Sequence, residues 1–167
     1  GHSSIDKAAL AAGIGLDNVR HIRCDDACRM LPTALEEQIR RDNASGFEPV
    51  AIVSTAGTTA SGSIDPLNDI ADVAQRWRLY HHIDGAYGGM ISIDPHNRNQ
   101  LLGIDRADSI VINPHKWFTN LDCSLLYTKH GRLLRNLFSV IPSYLQNDDD
   151  TDDPMNKGPS LSRRDRS

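Results

Sequence analysis

The sequence predicts an α/β fold, a mostly parallel sheet flanked by helices. Three observations predict it. Short, continuous, β-branched runs such as "AIVST" and "SIVI" suit strands buried on both faces of a parallel sheet. Stretches with helical periodicity separate these runs, as crossover connections require. Polar, chemically able residues fall just past the ends of the runs, where open α/β sheets collect their ligands.

The elements follow in order. Ser3-Ser4-Ile5-Asp6 before "KAALAAG" reads as a capped helix that closes at Gly13 or Gly15. "NVRHIRC" reads as a short strand. Pro32 fits the first turn of a second helix, through "TALEEQIRRDNASG" to about Gly46. "PVAIVSTAG" is the first strongly apolar strand. Pro66 opens the helix "PLNDIADVAQRWR", with Leu67, Ile70, Val73, Ala74 and Trp77 on one face. "LYHHIDGAYGG" is a strand running into a glycine-rich turn. A helical turn near Leu101 precedes the strand "DSIVINPHKW"; "CSLLYTK" is a further strand and "GRLLRNLF" a further helix. The final stretch, with "DDDTDD" followed by arginines, is polar and charged and reads as a mobile segment.

The 167 residues suffice for one domain with a real core. A net charge of −4 argues against nucleic acid or an anionic membrane surface as a partner. No apolar run is long enough to span a bilayer, and no charged-then-apolar signal segment opens the chain. Cys24, Cys28 and Cys123 lack the spacing of a metal finger, and reduced thiols in a cytoplasmic protein are the simpler reading.

Three neighbouring strand ends would gather Thr58 and Thr59, then Asp84, then His115 and Lys116 around one crevice. A lysine that reacts as an amine must be neutral part of the time, which low-dielectric surroundings or a nearby cation promote. An aldehyde cofactor would condense with it. Pyridoxal phosphate also needs a carboxylate on its pyridine nitrogen, and Asp84, at a strand end before "GAYGG", is suitably placed. The small residues there let a flat ring approach the backbone. A metal is a poorer fit: His82 and Asp84 share one side of their strand while His81 faces away, leaving two ligands together.

"GHSSIDKA", "STAGTTASGSIDPL", "HHIDGAYGG", "INPHKW" and "LDCSLLYTK", in this order, resemble the pyridoxal-phosphate-dependent group II decarboxylases, and most of all their aromatic-amino-acid branch. The resemblance implies the large domain of a fold-type I pyridoxal-phosphate enzyme. It makes residues 1–146 an incomplete cofactor-binding core and 147–167 a mobile acidic and basic loop and tail. The phosphate-holding loop would lie upstream. By the same likeness Lys116 holds the cofactor's aldehyde, Asp84 pairs with the pyridine nitrogen, His2 stacks on one ring face and Ala86 touches the other. Thr59 lies near the cofactor's oxygen and the substrate, and Asn113 and His115 near the phosphate and the reacting carbon. Tyr144, in "IPSYLQND", would protonate the carbon from which carbon dioxide has left; a phenylalanine there is associated with aldehyde-forming relatives. The implied activity is decarboxylation of an L-amino acid by a homodimer. Trp117 and "DCSLLYTK" lean toward an aromatic substrate, with glutamate-type substrates, aldehyde synthesis or a silent fold as alternatives.

Overall fold

The computed structural model describes residues 1–117 and 122–138. The chain divides after Lys129 into two units, and the described part of the second is a single helix, α4 (Gly131–Phe138). All that follows concerns the first unit.

Four strands form one sheet in the order β1 (Ala51–Thr55), β2 (Tyr80–Asp84), β3 (Ser109–Ile112), β4 (Leu125–Thr128). The first two pairings are parallel and the last antiparallel. The register sets Thr55 beside Asp84, and Asp84 beside Val111, so three strands end at one level.

Helices α2 (Pro32–Ala44) and α3 (Leu67–Trp77) supply the main core. Leu35 and Ile39 of α2 meet Ile70, Val73 and Ala74 of α3 over Ile52 of β1. Farther along the strands, Leu67, Ile83, Ala56, Leu101 and Ala107 form a second cluster. Both clusters lie on the sheet face that carries Ile52, Ser54, His81 and Ile83, as strand alternation dictates. Burial on both faces, expected from the continuous apolar run, is partial in β1: α2 and α3 cover Ile52 and Ser54, while on the other face Ala51 is exposed, Val53 half-buried and Thr55 buried.

The helices follow their sequence signals. Helix α1 (Ser4–Ala11) is followed by Gly13 in the left-handed region, with φ of 74°. It is not capped by a serine side chain as expected: the Ser4 hydroxyl lies 2.8 Å from His2 Nδ1 instead. Pro32 opens α2, and Gly46, with φ of 82°, follows its end. "NVRHIRC" does not form a strand. It makes one isolated bridge, Cys24 with Met30, because its partner is the tight turn around Asp25 and not the sheet. Between β2 and β3 the connection consists of short 3-10 turns, including Arg98–Leu101 where a helical turn was expected.

Candidate active site

The carboxyl ends of β1, β2 and β3 present the residues that the sequence singled out. Asp84 closes β2 and is 9% exposed. One of its carboxylate oxygens, Oδ1, accepts the Ala86 N–H at 3.2 Å. This folds the Gly85–Ala86 turn back over the strand end. Gly85 keeps this approach unstrained, since a Cβ would stand 3.0 Å from both Ile110 Cδ1 and the Val111 carbonyl oxygen and would have to push them back by a few tenths of an ångström. The next glycines bring β1 in. Gly88 donates its N–H to the Ala56 carbonyl at 2.9 Å, and a Cβ on Gly88 would lie 2.6 Å from that same oxygen.

Strand β3 runs into a 3-10 turn, Pro114–Lys116, which carries the amine. Two hydrogen bonds tie this turn to the one after Asp84. The Asn113 N–H donates to the Ala86 carbonyl at 3.2 Å, and the Trp117 indole Nε1–H donates to the Tyr87 carbonyl at 2.6 Å. Asn113 accepts the Ser124 hydroxyl on its side-chain oxygen at 2.8 Å. His115 places Nδ1 2.7 Å from the Cys123 carbonyl, with the Cys123 amide at 3.1 Å from the same nitrogen. The carbonyl calls for a proton on Nδ1 and the amide for a lone pair on the same atom, so the two contacts belong to opposite tautomers of the ring. Lys116 is exposed, so the described residues do not supply the low-dielectric surroundings asked of it.

Asp84, Ala86, Asn113, His115 and Lys116 are therefore carried on two turns joined to one another. Thr59 lies in the neighbouring turn beyond β1, where it is exposed. That turn is closed by Gly57 and Thr58, whose N–H groups both donate to the Ser63 carbonyl at 3.0 Å. His2 is exposed, and its imidazole bonds Ser4 in its own turn, not the strand ends. Tyr144 lies outside the described residues. Two cavities of about 300 and 420 Å³ open at the other end of the strands, around Leu79, and touch none of these residues.

Sequence reasoning passed over Asp65. Its carboxylate is 7% exposed and accepts the Met30 N–H on one oxygen and the Thr55 N–H on the other, each at 2.7 Å. It fastens the end of β1 to the Asp25 turn. Its signal was present, an acid immediately before the Pro66 that leads into α3. Beneath the site, His82, on the Asp84 face of β2, pairs through Nδ1 with the Ser109 hydroxyl at 2.7 Å. Burial lowers its pKa, and Asp84 opposes the shift. On the opposite face His81 Nε2 lies 2.8 Å from the Ser54 hydroxyl, and burial pushes its pKa down to about 4 against the pull of Asp108.

A buried carboxylate, small residues beside it and an amine on the adjoining turn fit a flat cationic heterocycle bearing an aldehyde. The sheet and its flanking helices are those of the large-domain core of fold-type I pyridoxal-phosphate enzymes. The family profile described as "Pyridoxal-dependent decarboxylase conserved domain" matches residues 1–167. The chain belongs to that family, the group II pyridoxal-phosphate decarboxylases. Cysteine sulfinic acid decarboxylase of Mus musculus is 43% identical over 146 residues, covering 86% of this chain and 30% of the mouse protein. Tryptophan decarboxylase 2 of Oryza sativa subsp. japonica is 40% identical over 149 residues, 87% of this chain and 30% of the rice protein. The crystal structure of Oryza sativa TDC with PLP and tryptamine superposes with a TM-score of 0.83 at 37% identity, covering 89% of this chain and 31% of that one. The chain thus spans about 30% of the length of these curated relatives.

Proposed function

We propose that the protein carrying this chain removes the α-carboxylate of an L-amino acid, preferably an aromatic one, as carbon dioxide, using pyridoxal phosphate. The observation that carries the reading is the buried Asp84 on a turn hydrogen-bonded to the turn that bears Lys116. Pyridoxal phosphate, when bound, supplies an aldehyde that captures amines and a ring that withdraws electrons from the bond to be broken.

The chain's own residues do the rest. Lys116 would be the amine that holds the cofactor's aldehyde. Asp84 keeps a proton on the pyridine nitrogen, an interaction that strengthens as negative charge flows into the ring. Ala86 would leave room for one ring face, and His2 would have to leave its contact with Ser4 to cover the other. Asn113 and Thr59 contact the cofactor's oxygens, and His115 presents Nε2 toward the reacting carbon. Tyr144 returns a proton to that carbon. The aromatic preference rests on the likeness of "INPHKW" and "LDCSLLYTK" to the aromatic branch and on the rice relative; the mouse relative is named for an acidic substrate. A cytoplasmic homodimer is part of the same reading.

The test uses the full-length protein with pyridoxal phosphate. A visible cofactor band that Lys116→Ala abolishes, with the amine and carbon dioxide as products from tryptophan or tyrosine, supports the reading. Turnover of cysteine sulfinate or glutamate in preference overturns the aromatic assignment. An aldehyde released with ammonia and peroxide overturns simple decarboxylation.

A further inference from the structure

Trp117 follows the proposed cofactor lysine directly, yet its indole is not merely packed. Its Nε1–H donates to the Tyr87 carbonyl at 2.6 Å, across thirty residues of sequence. Its ring meets the Tyr87 ring at a centroid distance of 5.3 Å and a tilt of 31°. Tyr87 lies one residue beyond Ala86, on the turn that Asp84 itself folds by accepting the Ala86 N–H. The other tie between these turns, Asn113 N–H to the Ala86 carbonyl, sits at the near end of the 3-10 turn. Lys116 lies between the two ties.

We propose that Trp117 is a positioning residue that straps the lysine turn to the aspartate turn and so sets where Lys116 stands relative to Asp84. The inference rests on the reading of Lys116 and Asp84 given above. The physical case is one of constraint. His115 holds the turn to Cys123, ahead of β4, but toward the aspartate turn a lysine turn tied only at Asn113 can still pivot about that bond, carrying the lysine stem with it. A second bond on the far side of Lys116 removes that freedom. The side-chain donor matters because the Trp117 backbone N–H is already given to the Pro114 carbonyl at 2.9 Å. The aromatic contact holds the indole edge toward the Tyr87 carbonyl. Both rings are partly exposed, 44% for Trp117 and 45% for Tyr87, so the pair does not act as core packing.

The decisive variant deletes only the donor. Site-specific replacement of Trp117 by 3-benzothienylalanine keeps the shape and the ring contact but has sulfur in place of N–H. Trp117→Phe serves as the genetically encoded counterpart. The full-length holoenzyme is measured by visible circular dichroism of the cofactor band, which reports the ring's orientation in its site, and by steady-state kinetics. The expected result is a changed dichroic signal at unchanged cofactor content, with kcat lowered roughly tenfold and KM within about twofold, as for small misplacements of a reacting group. An isostere whose dichroism and kcat match the parent overturns the strap. A parent protein with no Lys116-dependent band overturns the underlying reading, and the strap's purpose with it.

Discussion

At the scale of single residues, two buried carboxylates carry different duties. Asp84 has one oxygen on the Ala86 amide and sits at the strand end where the cofactor nitrogen is proposed to lie. Asp84→Asn, of nearly the same shape, is expected to cost at least a hundredfold in kcat while leaving the unfolding midpoint little changed. Chemical denaturation beside steady-state kinetics checks both halves. Asp65 has both oxygens on backbone amides, Met30 and Thr55. Asp65→Ala strands one buried donor, Thr55 N–H, and one half-buried donor, Met30 N–H, and is expected to destabilise the protein by roughly 2 kcal/mol, a loss that urea unfolding would register. A similar stability for that variant would show that water replaces the carboxylate there.

At the scale of elements, glycines decide how closely the turn after β2 can approach its neighbours. Gly88 fits under the end of β1 only because it lacks a Cβ, which would stand 2.6 Å from the Ala56 oxygen. Gly57 faces it with φ of 85°. Gly88→Ala must push the two turns apart, for an expected cost of about 2 kcal/mol and a weakened hold on the cofactor. Equilibrium unfolding and cofactor titration of the purified variant measure the two effects separately. A variant that binds cofactor as the parent does would mean the β1 turn contributes nothing to the site. The same closeness explains why "GAYGG" is legible as a site in sequence: small residues follow an acid at a strand end, and few other arrangements tolerate them.

At the scale of the whole molecule, the sheet stores a pH dependence in His81. The residue is 1% exposed, one ring nitrogen faces Ser54, and the buried Nδ1 has no hydrogen-bond partner among the described residues. Burial depresses its pKa to about 4 from the ordinary 6.5, so between those values the unfolded chain binds the proton and the folded chain does not. Stability from this group is therefore full above about pH 6.5 and is lost as the pH falls toward 4, by up to about 3 kcal/mol. The unfolding midpoint of the parent should drop across that window. His81→Gln should flatten the drop, and a profile identical to the parent's would assign it to other groups.

The sequence by itself determined the alternation of strands and helices and the helix ends at Pro32 and Gly46, and it is the source of the proposal that Lys116 and Asp84 are the reactive pair. These are written in local chemistry: β-branched runs, backbone-restricting residues and a motif whose side chains are rare in such company. Tertiary structure alone decided that "NVRHIRC" stays out of the sheet, that β1 is covered on one face by α2 and α3, and that Asp65 and Trp117 are ties. Each depends on which distant segment supplies a partner. A hydrogen-bond acceptor thirty residues away leaves no periodicity for a sequence to display.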